Sequence, residues 1–191
     1  LSDLLVFGNL AGMGASKYAK ELSVVPQFND EEAKRIIRNA TSILNREKGE
    51  NPYLLHENLQ KNMQNNVGII RTDSELQEGI QNIENLKEKN KNVKANGSSQ
   101  FNPGWHEALA MRNLLITAEA VARAAHLRTE SRGAHTRDDF ATESEEWYQY
   151  NIISKKGDDG NMQVIKERRK DPNPELERIA NAKLEDLEAE V

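Results

Sequence analysis

The chain has 191 residues, of which 37% are hydrophobic and 30% charged, so it can bury one modest core and is expected to form one compact domain with an appendage. Its net charge is only −5, and its Lys and Arg residues form no broad basic surface, which argues against nucleic acid as a partner. It contains no cysteine, which excludes disulfides, a thiolate nucleophile and Cys-ligated metals, and its apolar runs are shorter than the ~20 residues of a membrane-spanning helix.

The first segment, LSDLLVFGNLAGMGASKYAKEL, predicts a helix that approaches another backbone closely. Its small residues recur at helical spacing. They are Gly8, Ala11, Gly12, Gly14 and Ala15. An ordinary, tightly packed helix pair explains this pattern equally well. The chain also opens on an apolar run without Met, whereas natural termini are usually polar, so we expect a fragment of a larger protein.

Apolar periodicity predicts three further helices with short connections, which favour antiparallel packing. The first is capped by Asp30 and ends before Gly49. Its predicted buried stripe is Ala33, Ile36, Ile37, Ala40 and Leu44. The second begins at Asn51 and Pro52. Its stripe is Leu55, Leu59, Met63, Val67 and Ile70. The third runs from Asp73 to near Val93. Its stripe is Leu76, Ile80, Ile83 and Leu86.

The C-terminal half contains a long helix, a charged loop and a hairpin signal. The helix extends from about Trp105 to Leu127 and is rich in Ala and Leu on nearly every face, which places it at the centre of the bundle. Beyond the loop, two β-prone stretches flank KKGDDGN and predict a hairpin. The last residues, NPELERIANAKLEDLEAEV, predict an acidic, solvated helix.

The sequence shows no catalytic or metal-binding constellation. The four histidines form no metal-ligand spacing, and His56 and His106 are expected to be partly exposed. No glycine-rich phosphate loop follows a strand, and no Ser/His/Asp pattern is present. We therefore predict no catalytic residue and no metal ligand in this chain.

The charged loop RTESRGAHTRDDF, residues 128–140, has two interpretations. Ser131, Arg132, Gly133 and His135 combine an anion donor, a flexible backbone point and a titratable ring within five residues, as an active site could. Alternatively, charged residues form an ion-pair network that docks the end of the long helix against another domain, and this is the favoured interpretation. That network would comprise Arg128, Glu130, Arg132, Arg137 and Asp138. The pair Asp138 and Asp139 is otherwise expected to be solvated.

Two segments resemble a known family. LSDLLVFGNLAG is similar to the NSLLDLVVFGRAAG segment of the flavoprotein subunit of succinate dehydrogenase and fumarate reductase, and RTESRGAHTRDDF resembles that family's R-x-E-S-R-G-A-H-x-R-x-D-F-P motif. The order of the helices between them also resembles the family's C-terminal helical domain, so the resemblance covers residues 1–153. Asn9 stands where the family commonly has Arg, and Ala141 stands where it usually has Pro.

The resemblance implies a mainly α fold: an antiparallel three-helix bundle in residues 25–140, preceded by the terminal helix of the FAD-binding domain in residues 1–24. A tail with a possible β-hairpin follows in residues 141–191. The FAD-binding and dicarboxylate-binding residues would lie upstream, so this chain alone is expected to be inactive. Leu1 matches a family Leu whose backbone amide lies near the flavin ring, and Ser2 is expected to add a contact at the positive end of the helix.

The resemblance also implies that the charged loop buttresses the flavin domain, with Arg132 and His135 as its anchors. The docking residues would be Arg128, Glu130, Ser131, Arg132, Gly133, His135 and Arg137. The intact protein would oxidise succinate to fumarate, or perform the reverse, with FAD. Its electrons would pass to an iron–sulfur subunit, then to a quinone, in a membrane-anchored complex on the cytoplasmic side. L-Aspartate oxidase, which shares the motif, and a non-enzymatic helical interaction module are the alternatives; the segment EEWYQYNII and the hairpin favour the succinate or fumarate enzyme.

Overall fold

The computed structural model describes residues 1–183, and within them it contains six α-helices, four short strands and one 3₁₀ helix. The helices are α1 (Ser2–Glu21), α2 (Asp30–Asn45), α3 (Pro52–Asn66), α4 (Asp73–Asn90), α5 (Pro103–Leu127) and α6 (Pro174–Asn181). The strands are β1 (Ile70–Arg71), β2 (Thr136–Arg137), β3 (Tyr150–Lys156) and β4 (Met162–Arg168), and the 3₁₀ helix covers Glu145–Gln149. The predicted mainly α fold is confirmed.

Two compact units divide the chain, one formed by residues 1–40 and the other beginning at residue 41. The predicted boundaries after residues 24 and 140 differ from this division and stay predictions. In the first unit, α1 buries none of its residues. No atom of residues 1–183 lies within 4 Å of the position that a Cβ would take at Gly8, Gly12 or Gly14. The described residues therefore do not supply the neighbour that this small-residue face predicts.

The predicted stripe of α2 is wrong in its central positions. Ile36 is 55% exposed and Ile37 is 61% exposed, whereas Ile43 near the C-terminal end of the helix joins the core. The helix-capping prediction shifts by one residue, because Asn29 Oδ1 accepts a hydrogen bond from Glu32 N at 3.0 Å and Asp30 is the first helical residue. The periodicity identified a helix here but not which of its apolar side chains are buried.

The helices α3, α4 and α5 pack against one another as the predicted three-helix bundle. Apolar side chains from all three build its core, and most of the predicted stripe residues are among them. Core residues with the lowest exposure are Leu55, Leu76, Ile83, Met111, Leu115 and Ala122. The long α5 is central, as predicted, but one of its sides stays open because Leu114, Ile116 and Val121 are exposed.

Side-chain caps fix where these three helices begin. Asn51 accepts from Tyr53 N ahead of Pro52, and Asn102 accepts from Trp105 N ahead of Pro103. Thr72 and Glu75 form a reciprocal capping box at the start of α4. The starts predicted from Asn51–Pro52 and from Asp73 are therefore correct.

A short turn replaces the predicted continuation of the second helix beyond Asn66. Ile70 does not extend the buried stripe; it is 63% exposed and begins β1. The strand β1 pairs in parallel with β2, with Ile70 opposite Thr136 and Arg71 opposite Arg137. The turn between α3 and α4 is thereby joined to the charged loop.

The predicted hairpin is present, since β3 and β4 pair antiparallel from Tyr150–Arg168 to Lys156–Met162. It packs against α5, and Trp147 in the preceding 3₁₀ helix is buried. The predicted acidic tail helix corresponds to α6, and its extension into residues 184–191 lies outside the described residues. No helix within residues 1–183 is both long enough and apolar enough to cross a membrane.

Candidate functional site

Arg137 lies at the centre of the charged loop and is completely buried. Its Nη1 donates hydrogen bonds to the carbonyl oxygens of Ala125, His126 and Arg128 at 3.1, 3.2 and 3.3 Å. These carbonyls end α5, where the helix has no further amides to offer them. The guanidinium therefore satisfies the last turn of the helix and places a positive charge at its negative end.

Asp139 receives the other side of the same guanidinium. Arg137 Nε and Nη2 donate to its two carboxylate oxygens, each at 2.7 Å, and Asp73 N at the start of α4 donates to Oδ2 at 2.8 Å. The hydrogen bonds from Arg137 are the chief cause that lowers the pKa of Asp139 to about 2. The prediction that Asp139 is merely solvated is wrong, and it takes the place in the ion-pair network that was predicted for Asp138.

Glu130 is a second fully buried charge of the loop. Arg128 Nη1 donates to it at 2.7 Å, Arg132 donates through Nε at 3.0 Å and Nη2 at 2.8 Å, and Ser144 N donates at 2.9 Å. The Arg132 hydrogen bonds are the leading cause that lowers the pKa of Glu130. Glu130 is thus held as a carboxylate whose charge is balanced inside the chain.

The arginines that bind Glu130 also lie over aromatic rings of the following segment. The Arg132 guanidinium carbon is 3.6 Å from the centre of the Tyr148 ring, and that of Arg128 is 5.3 Å from the centre of Trp147. The hydrogen bonds to Glu130 are the main cause that raises the pKa of Arg132. Arg132 is therefore engaged on two sides, and the active-site interpretation loses its anion donor.

His135 lies between a donor and an acceptor. Arg71 Nη1 is 2.7 Å from His135 Nδ1, and the Arg128 carbonyl oxygen is 3.2 Å from Nε2. Because a guanidinium can only donate and a carbonyl can only accept, Nδ1 accepts and Nε2 carries the proton. Burial is the first cause that lowers the pKa of His135, and the neighbouring arginines act in the same direction. The ring is accordingly a neutral structural link.

The centre of the motif is a tight turn. Arg132 and His135 exchange backbone hydrogen bonds at 2.8 and 3.0 Å, and Gly133 between them has a φ of +57°, which only glycine adopts without strain. Ser131 Oγ accepts from Arg137 N at 2.8 Å and donates to the carbonyl oxygen of Phe140 at 2.9 Å. The motif residues thus fix the path of the loop.

The two predicted flavin contacts lie in the other compact unit. Leu1 precedes α1 and is almost fully exposed, and Ser2 is the first helical residue. The first hydrogen bond of the helix is the one from Leu5 N to the Leu1 carbonyl, so the amides of Ser2, Asp3 and Leu4 have no partner within the helix. They are available as donors to a negatively charged group.

The predicted docking residues therefore have different environments. Glu130 and Arg137 are buried and cannot contact another domain, whereas Gly133 is exposed and Arg128, Ser131, Arg132 and His135 are partly exposed. No cluster of His, Asp and Glu within residues 1–183 is arranged to hold a metal ion. The arrangement neutralises charge and orders helix ends, which are structural rather than catalytic properties.

Sequence reasoning missed Arg71 and Asp73, which complete the cluster from the turn between α3 and α4. Arg71 contacts His135, and Asp73 Oδ1 lies 3.7 Å from Arg137 Nη2 and 3.0 Å from His126 Nε2, in the latter case without hydrogen-bond alignment. A two-residue strand has no detectable periodicity, so nothing in the sequence pattern links these residues to the loop.

Comparison with known proteins gives consistent results. Residues 56–182 match the model of the family described as fumarate reductase flavoprotein C-term. An uncharacterised FAD-dependent oxidoreductase of Methanocaldococcus jannaschii is 36% identical over 156 residues, which cover 81% of this chain and 27% of that protein. In Methanothermobacter marburgensis, one subunit of the fumarate reductase (CoM/CoB) is 33% identical over 158 residues, covering 82% and 28%.

Among solved structures, a chain of the Mycobacterium smegmatis Sdh1 complex in the apo form superimposes with a TM-score of 0.85 at 38% identity. The match covers 99% of the present chain and 32% of that chain. The present chain spans about a quarter of the length of the curated relatives it matches.

Proposed function

Because the chain belongs to the fumarate reductase flavoprotein C-terminal family, we propose that it is the C-terminal part of the FAD-dependent subunit of a succinate dehydrogenase or fumarate reductase. The similarity to the mycobacterial Sdh1 chain carries this proposal, because it extends over almost the whole of the present chain. The intact protein would interconvert succinate and fumarate. FAD would supply the chemistry by exchanging a hydride with the dicarboxylate.

The residues present fit only one part of a flavin site. Residues 1–183 contain no extended parallel sheet followed by a glycine-rich turn, which is the arrangement that binds a dinucleotide. The free amides at the start of α1 can stabilise negative charge, so Leu1 and Ser2 are proposed to donate to the flavin ring. The remaining FAD contacts and the dicarboxylate site are proposed to lie in another part of the intact subunit.

The proposed role of the charged loop is to buttress the flavin-binding part. Its buried ion pairs hold the ends of α4 and α5 in place, and its partly exposed residues are available to a neighbour. We expect Arg132→Ala to lower either the stability or the flavin content of the intact protein, since the buried Glu130 would lose its principal partner. Unchanged thermal unfolding together with unchanged flavin content would contradict this role.

The proposed partners follow from the same assignment. Electrons taken from succinate would pass to an iron–sulfur subunit, then to a quinone through membrane-anchor subunits. The complex would lie on the cytoplasmic, inner face of the cell membrane, with the flavoprotein peripheral to it. Co-purification of an iron–sulfur protein with the intact flavoprotein is the expected result, and isolation of the flavoprotein without it from solubilised membranes would count against this assignment.

Anaerobic reduction of the bound flavin tests the reaction. The intact protein is purified, succinate or L-aspartate is added in separate samples, and the absorption of oxidised flavin is followed. We expect bleaching by succinate, reversal by fumarate, and no change with L-aspartate. Bleaching by L-aspartate alone would assign an L-aspartate oxidase, and a protein without flavin would leave only a helical interaction module.

A further inference from the structure

Arg71 is a partly buried arginine that forms no ion pair with a carboxylate in residues 1–183. Its Nε donates to the carbonyl oxygen of Gly68 at 2.6 Å and more weakly to that of Val67 at 3.4 Å, and its Nη1 contacts His135. Burial, followed by the nearby charge of Arg137, lowers the pKa of Arg71. Its charge is thus bound only by neutral groups.

The other three arginines of the cluster are balanced. Arg128 and Arg132 share Glu130, Arg132 also reaches Glu143, and Arg137 binds Asp139. The positive charge left without a close counter-ion is therefore located at Arg71. A partly desolvated cation without a counter-ion is unfavourable, and a carboxylate supplied by a neighbour would relieve that cost.

Exposed apolar side chains surround this cation. Ile69 and Ile70 precede Arg71 and are 77% and 63% exposed. Phe140 is also exposed, and its ring lies 4.9 Å from the guanidinium carbon of Arg137, the residue that pairs with Arg71 between β1 and β2. Ile69, Ile70, Arg71 and Phe140 are named here the Arg71 face. A cation within an apolar rim is suited to a charged contact that excludes water.

We propose that the Arg71 face docks onto a carboxylate set among apolar side chains on the flavin-binding part of the same polypeptide, an inference that rests on the function proposed above. Charge complementarity defines the group that is bound. The exposed Asp138, whose backbone amide donates to the Arg71 carbonyl at 2.9 Å, favours a polar donor beside that carboxylate rather than a second acid. Arg71 then replaces Arg132 and His135 as the anchor, since both of those side chains are engaged within the loop.

Photo-crosslinking of the intact protein tests this contact. A benzophenone amino acid replaces Ile69, and the linked peptides are identified by mass spectrometry. We expect a link to a flavin-domain peptide that contains Asp or Glu, with a yield that falls as salt is raised because the contact is electrostatic. In this background, Arg71→Gln should lower the yield several-fold, whereas Arg71→Lys should retain most of it. Arg112→Gln, which changes an exposed arginine on α5, should leave it unchanged.

Three results would overturn the proposal: no intramolecular link, a yield insensitive to Arg71→Gln, or equal losses in Arg71→Gln and Arg71→Lys. The last would mean that Arg71 acts only through its hydrogen bonds to Gly68 and His135. A link to a different polypeptide would likewise reject the assigned partner. The readout does not require flavin chemistry, so flavin bleaching by succinate without the link would reject the contact alone. A link without bleaching would instead reject the proposed reaction.

Discussion

Arg137 and Asp139 form a two-point ion pair that connects the end of one helix to the beginning of another. Arg137 caps the carbonyls that end α5, and Asp139 accepts from the first amide of α4. The cation therefore lies at the negative end of α5 and the anion at the positive end of α4, which is the favourable orientation for both helix dipoles. Because β2 also pairs with β1, the loop fastens one end of the bundle.

Replacement of Arg137 by Ala should destabilise the fold strongly. It would leave three carbonyl groups of α5 and the Asp139 carboxylate without their donor, and loss of one partner of a buried ion pair costs about 3–5 kcal/mol. The free energy of unfolding, measured with urea, reports this loss. The exposed Arg112→Ala serves as control and should change it by less than about 0.5 kcal/mol. Equal effects of the two substitutions would show that Arg137 does not fasten the helix ends.

Glu130→Gln should also reduce stability, because Arg128, Arg132 and the Ser144 amide all donate to this carboxylate. Hydrogen bonds to a charged group contribute about 1.5–3 kcal/mol each, and the neutral amide can replace them only in part, so we expect a loss of about 2–3 kcal/mol. Glu143→Gln is a matched control on the same arginine. Its side chain is 54% exposed, and a pair of that kind contributes about 0–1 kcal/mol. Similar losses for the two variants would contradict the burial of the Glu130 charge.

The pH dependence of stability should reveal the neutral state of His135. Its pKa is lowered in the folded protein, so below the ordinary value of 6.5 the unfolded chain binds a proton that the folded protein does not. Stability should therefore fall as the pH drops below about 6.5. Asp139 contributes separately, because its loss begins only near the ordinary Asp value of 3.8 and continues towards its lowered pKa of about 2.

A His135→Gln variant separates the two effects. Glutamine offers an acceptor to Arg71 and a donor to the Arg128 carbonyl without titrating. Urea unfolding at several pH values should show a shallower slope between about pH 7 and 5 for this variant than for the wild type, while the decline below about pH 4 persists. An unchanged slope in the upper range would mean that His135 is not the group responsible.

The sequence allowed the bundle to be predicted but not the contacts that fasten it. The Asn51–Pro52 signal and the regular stripes indicated α3 and α4 because each local pattern agrees with the final packing. Periodicity failed for Ile36, since it identifies an apolar side of a helix without showing what covers it. It also could not indicate the contact between Arg71 and His135, which depends on a two-residue strand and on residues 64 positions apart.

The proposed flavin contact of α1 can be tested without disturbing the helix. Ser2→Pro removes the first helical amide, and proline is well tolerated at this position because that amide has no partner within the helix. If it donates to the reduced flavin of the intact protein, its loss should lower the flavin reduction potential by about 10–20 mV, since a helix-terminal charge interaction contributes about 0.3–1 kcal/mol.

Ser2→Ala is the control for this potential, because it keeps the amide and removes only the hydroxyl. A shift in Ser2→Pro alone would support donation by the backbone, and equal shifts in both variants would assign the effect to the side chain. If neither variant changes the potential while flavin content is retained, then the start of α1 does not contact the flavin. The small-residue face of Gly8 and Gly12 would in that case have a packing role only.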